Sequence, residues 1–189
     1  MNAYDFVHLT FLAMKNHEIK GNTKLQKTVY FLGLRTGLEE DLGYRPHFYG
    51  PYSDEVADAV GRLKALGFLD CTRSGVGSVD SRGFEVVRSD YRLNAEGRMV
   101  AEIKKKQFKG EWGYIQKGAE ELETLLTKDY MQLSIAAKIK FMLGKRQAQS
   151  PVKPEELASL ASRFGWSVTP DQVRAAARSL AEAGLVTLA

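Results

Sequence analysis

Three histidines, His8, His17 and His47, and one cysteine, Cys71, are the residues best suited to metal or nucleophilic chemistry in this chain. No histidine stands at metal-ligand spacing from another histidine or from Cys71. Cys71 lies in a strand-like stretch, Phe68 to Thr72, without the surroundings of a nucleophile, and reads as a structural thiol. The glycines of GVGSVDSRG join two strand-like stretches, whereas a phosphate-binding loop needs a helix N-terminus behind it. Glu120, Glu121 and Glu123 read as a solvated helix face with no partner carboxylate or metal ligand. The expectation is a binding protein and not an enzyme, with no catalytic residue, metal or cofactor.

Basic and amide side chains that could meet a nucleic acid form two groups. Lys145, Arg146, Lys153, Gln172, Arg174 and Arg178 lie in the C-terminal third, and Arg73, Arg82 and Arg88 flank the glycine-rich loop. Gln and Arg can read base edges, and Lys can neutralise phosphate. Residues 1–130 hold equal numbers of basic and acidic side chains, so the whole net charge of +4 arises after residue 130. Against DNA contact by the first half, Asp54, Glu55 and Asp58 occupy the leading end of its candidate recognition helix.

A third cluster is the stretch FYGPYS, residues 48–53. Gly50 tolerates backbone angles that other residues avoid, and Pro51 fixes one. Ser53 suits an N-cap, with Asp54 and Glu55 in the first turn where the helix dipole favours acids. Val56, Ala59, Val60 and Leu63 continue as an apolar stripe. The stretch therefore predicts a short strand (Pro46 to Tyr49), a sharp turn and a helix start. At least one of Tyr49 and Tyr52 is expected to be mostly buried beside that helix.

The elements around these clusters follow from periodicity and caps. A helix is predicted over 3–17, with Phe6, Leu9 and Ala13 on one face. A second starts at a Thr23–Gln26 capping box and ends at Gly37. Gly67 ends the helix after FYGPYS. Strands are predicted at Phe68–Thr72, Phe84–Val87 and Tyr91–Leu93, and Asn94 caps a further helix. Residues 111–127 predict a linking helix with Ile115, Ala119, Leu122 and Leu126 on one stripe, which either docks two modules together or forms a homodimer. Helices are expected from Leu133 to Leu143, from Pro154, and from Pro170 behind a Thr169–Gln172 capping box. LKALGFL (63–69) and LAEAGLV (180–186) each close a candidate recognition helix ahead of a strand.

The order of helices and strands predicts an α+β, mostly helical chain with tandem winged-helix or helix-turn-helix modules. The expected domains are a winged-helix-like unit over 1–110, a linking helix over 111–130, and a helix-turn-helix module over 131–189 without a full wing.

GNTKLQKTVYFLG, HFYGPYSDEV, LGFLD and YRLNAEGR together resemble the YwgA-like proteins of bacteria and archaea, and are more loosely similar to the SocA/Panacea antitoxin domain. The resemblance covers about residues 20–100, and SIAAKIKF near 134–141 looks like the C-terminal continuation of the family. Its motif positions here are Lys24, Leu25, Gln26, Lys27, Tyr49, Gly50, Pro51, Tyr52 and Ser53. What the resemblance implies is the fold and a regulatory role.

Composition sets the remaining bounds. The chain has 189 residues, 44% hydrophobic and 26% charged, enough apolar content for a packed core. No apolar run reaches the roughly 20 residues of a membrane span. The N-terminal residues lack the pattern of a signal peptide, and a single cysteine permits no internal disulfide, so a cytoplasmic setting is expected. The function expected from these readings is transcription regulation by DNA binding. The alternative is an antitoxin-like or adaptor module that binds protein.

Overall fold

The computed structural model describes residues 1–75, 87–146 and 151–188. Its first helix, α1 (Ala3–Ala13), begins where the Asn2 side chain accepts the Asp5 N–H at 2.9 Å. It stops at Met14, whose backbone is extended, short of the expected His17. A 3-10 turn follows, with Asn16 and His17 at φ 56° and 54°. This reversal sends Glu18–Lys20 back as a strand, β1, that three residues of mixed polarity did not announce.

The helix α2 (Asn22–Thr36) follows Gly21, at φ 90°, and ends with Gly37 in the left-handed conformation, as expected. Because it starts at Asn22, Thr23 already lies in its first turn, and the Thr23–Gln26 capping box does not form. The Gln26 side chain bonds elsewhere. Pro46–Tyr49 is not a strand. Pro46 has no N–H to donate, and the chain turns instead, with the Gly50 N–H meeting His47 O at 2.9 Å. Only Arg45 and Tyr52, either side of the turn, form an antiparallel bridge. Ser53 caps α3 (Asp54–Ala65) as predicted, its Oγ accepting the Val56 N–H at 3.0 Å.

Next come β2 (Leu69–Ser74) and β3 (Arg88–Leu93). Of the expected strand at Phe84–Val87, residues 84–86 lie outside the described residues and Val87 precedes β3. The sheet is antiparallel in the order β1-β3-β2, with Tyr91 of β3 opposite both Ile19 and Cys71. Asn94 caps α4 (Ala95–Gln107) through the Gly97 N–H. Gly97 is required there: a Cβ on it would stand 2.3 Å from Phe68 O. Buried His8 of α1 ties down the same turn, its Nε2–H donating to Gly97 O at 2.8 Å. Burial, with Lys104 nearby, lowers the His8 pKa to about 4, so the ring is neutral.

The predicted linking helix is two segments, α5 (Lys109–Glu121) and α6 (Glu123–Leu126), broken at Leu122. The first of them is packed on α1, α2 and α4. Gly118 lets α5 approach Leu32 and Arg35 of α2, and Arg35 pairs with Glu121. Of the predicted stripe, Ile115, Leu122 and Leu126 are buried within one chain and Ala119 is half-buried. The last part holds α7 (Tyr130–Gly144), α8 (Pro154–Ala161) and α9 (Pro170–Glu182). Asp129 caps α7 three residues before the expected start, and the Thr169–Gln172 capping box forms as predicted. Gly184 takes φ 65° after α9, but residues 185–188 form no strand, so the echo of LKALGFL in LAEAGLV stops at the turn.

The architecture is α+β and mainly helical. α7 packs against α2 on one side and against α8 and α9 on the other. One contiguous buried cluster therefore runs from Phe6 and Phe11 through Phe31 and Leu133 to Trp166 and Leu180. Among the described residues no helix is long and apolar enough to cross a membrane.

Candidate functional site

The two motifs KLQK (24–27) and YGPYS (49–53) meet in space. Leu25 enters the core, while Lys24 reaches Lys128 O at 3.2 Å. The next two residues face the turn. Gln26 Nε2 donates to Ser53 O at 2.9 Å, and the Ser53 N–H donates to Gln26 Oε1 at 3.0 Å. The carboxamide thus pairs with both backbone groups of one residue, as a neighbouring strand would. Lys27 Nζ donates to Pro51 O at 2.7 Å.

Two further side chains complete the set. Ser134 Oγ of α7 donates to Tyr49 O at 2.5 Å, and Trp166 Nε1–H donates to His47 O at 2.6 Å. The carbonyls of 47, 49, 51 and 53 thus each accept a side-chain donor, from Trp166, Ser134, Lys27 and Gln26 in turn. Gly50, at φ 94°, makes the close approach possible: a Cβ there would stand 3.1 Å from Lys138 Cγ and 3.3 Å from Ser134 O. Ser53 Oγ also donates to Leu42 O at 2.5 Å, and Tyr44 Oη to Gln26 O at 2.9 Å.

Lys27 is the unusual member. Its side chain is buried, and no carboxylate pairs with it among the described residues. Burial first, and the Lys138 ammonium second, pull its pKa down to about 7. Burial also lowers Lys138. His47 is lowered by burial and by the charges of Lys27 and Arg45, partly offset by Asp54. A buried cation without a counter-ion is costly, and here it secures one carbonyl of a tight turn.

What the turn buries is its backbone and its small residues. Gly50, Pro51 and Ser53 are buried, and Tyr52 is half-buried with its ring centroid 5.0 Å from that of His47. Phe48 and Tyr49 are 78% and 46% exposed, so the expectation that at least one of Tyr49 and Tyr52 is mostly buried rests on Tyr52 alone. The acidic start of α3 adjoins them. Asp54 pairs with Arg45 at 2.7 Å, while Glu55 and Asp58 are exposed without an ion pair among the described residues. Ser134, Lys138 and Trp166 were not singled out from the sequence, although the first two fall in SIAAKIKF. The available signal was Trp166 itself, whose indole N–H needs a partner once buried.

No family model matches the chain, and no curated protein matches its sequence.

The nucleic-acid candidates are more dispersed. Arg174 is held by Glu155 at 2.5 Å and Asp171 at 2.7 Å, which brings it near the exposed Lys153 at the start of α8. The Gln172 side-chain Oε1 accepts the Thr169 N–H at 2.9 Å within the capping box. Arg178 is exposed on α9, and Lys145 lies over the Phe141 ring at 5.4 Å. Arg146, beside it, is half-buried. On the sheet, Arg73 is exposed and Arg88 pairs with Asp90 at 2.7 Å. Arg82 lies outside the described residues. Among the described residues there is no cluster of three or more His, Cys, Asp and Glu able to hold a metal.

Proposed function

We propose that this chain is a regulatory protein-interaction module of antitoxin-like or adaptor kind, built on a winged-helix scaffold, with the FYGPYS turn as its contact surface. The observation that carries the reading is the exposure of Phe48 and Tyr49 on a turn whose four alternate carbonyls are all held from behind. Aromatic side chains on a preorganised backbone are the residues from which binding hot spots are made, because little entropy remains to be lost on docking. Glu55 and Asp58 beside them suit a partner with an apolar pocket flanked by basic residues. The YwgA-like resemblance belongs to the same proposal, since Gln26, Lys27 and Ser53 of its motif make the latch.

DNA binding is a second reading. It is favoured by the element order helix, strand, helix, helix, strand, strand with a β1-β3-β2 sheet, an order compatible with the winged-helix scaffold proposed here. The exposed cations Arg73, Lys145, Lys153 and Arg178 also favour it. The outward face of α3 opposes it, since Asp54, Glu55 and Asp58 would meet phosphates first. The test is a photo-crosslinking residue at position 48 in cells of the source organism. A discrete protein adduct is expected. No adduct, together with binding of the purified chain to duplex DNA that weakens steeply with salt, contradicts the first reading and supports the second.

A further inference from the structure

A second concave site lies away from the turn. One of its walls is made by the end of α1, β1 and the start of α2, and the other by α5 and α6, enclosing about 660 Å³. That size is within the range of small-molecule sites. Its apolar lining comes from Leu12, Ile19, Trp112, Ala119 and Leu126. Leu12, Ile19 and Leu126 are buried, while Trp112 and Ala119 are half-buried and open to the groove.

Both walls carry charge. Lys15, Lys20 and Lys24 stand on the first with Glu18, which pairs with Arg92 at 3.2 Å, and Glu120 and Glu123 stand on the second, with Lys105 of α4, paired with Glu102 at 3.4 Å, beside them. Lys15 and Lys20 are exposed without an ion pair among the described residues. Lys24 is half-buried, and its only hydrogen bond among the described residues goes to a carbonyl, with no ion pair among them. The charges acting on it are Arg88 and Lys20, both positive, against Asp129, while burial is the main cause of its lowered pKa. The glutamates of the opposite wall are not among them.

We propose that this groove binds a small amphipathic carboxylate, with its acyl or aromatic body against Trp112 and Leu126 and its anionic head at Lys20 and Lys24. The lining supplies the apolar contact, and Lys15, Lys20 and Lys24, which make no ion pair among the described residues, supply the complementary charge. The proposal is independent of the reading given to the FYGPYS turn, because the groove shares none of that turn's residues.

Calorimetric titration with octanoate, and with 1-octanol as the uncharged counterpart of equal length, tests it. Octanoate should bind saturably, and 1-octanol about tenfold more weakly, since a charge-assisted hydrogen bond is lost. The Lys20→Gln/Lys24→Gln variant should bring octanoate down to the affinity of 1-octanol. Ala119→Phe, which fills the groove, should abolish both, with a melting profile to show that it folds. The lysine pair decides alone if it does not. Absence of saturable octanoate binding, equal affinity for 1-octanol, or undiminished octanoate binding in the lysine variant overturns the proposal.

Discussion

At the scale of single residues, Gln26 and Lys27 are the positions where chemistry and fold meet. Gln26→Ala leaves the N–H of buried Ser53 without a partner, while its C=O keeps the Ala57 N–H at 3.2 Å, and an unsatisfied buried group costs about 1–3 kcal/mol. The variant should lose about 1–3 kcal/mol in urea unfolding. Lys27 makes a different prediction. Its pKa falls from 10.5 when unfolded to about 7 when folded, so between these values the unfolded chain binds the proton that the folded chain releases. Stability from this group therefore rises with pH from about 7 to 10.5, by up to about 5 kcal/mol. Lys138 and His47 share its surroundings, so the clean measurement is the difference between the wild type and Lys27→Met across that range. The wild-type curve should climb relative to the variant, and parallel curves would show that burial does not lower the Lys27 pKa on folding. The turn itself was legible from Gly50, Pro51 and the Ser53 cap. The latch was not, because Gln26 fits a local capping box equally well in sequence and only the folded chain offers it Ser53.

At the scale of elements, local signals were read well where they were self-contained. The caps at Ser53, Asn94 and Thr169 and the left-handed Gly37 all formed, because each is satisfied within a few residues of chain. Elements defined by distant partners were missed. β1 has three residues and exists through pairing with β3, about seventy positions away. Periodicity alone continued one helix through 111–127, whereas the chain breaks at Leu122, after α5 has packed on α1 and α2. The packing of α4 turns on Gly97, where an added methyl must displace the Phe68 carbonyl. Gly97→Ala should destabilise the protein by about 1–3 kcal/mol, the usual cost of overpacking, and a melting scan against the exposed Gly61→Ala control checks it. Equal melting temperatures for the two variants would contradict the close approach.

At the scale of the whole molecule, the mainly helical α+β class followed from the pattern of elements, but the way the last helices close onto the first half did not. α7 is shared, with Ser134 and Lys138 reaching the turn near residue 50 and the rest of the helix packing on α8 and α9. Trp166 adds its own bond to His47. A core continuous from Phe6 to Leu180 should unfold as one cooperative unit. Fluorescence of Trp112 and of Trp166, separated with single Trp→Phe variants, should then follow the same urea transition as helical circular dichroism. Two resolved transitions would mean that the C-terminal helices fold as a separate domain. The same closure holds the FYGPYS turn from two sides, and this supports assigning it a protein-binding role. The most direct test of that role is the dissociation constant of the protein captured from position 48, measured for the wild type and for Phe48→Ser. An anchoring aromatic contributes about 2 kcal/mol or more, so the variant should bind at least about 30-fold more weakly while melting at the wild-type temperature. An unchanged dissociation constant would contradict the account.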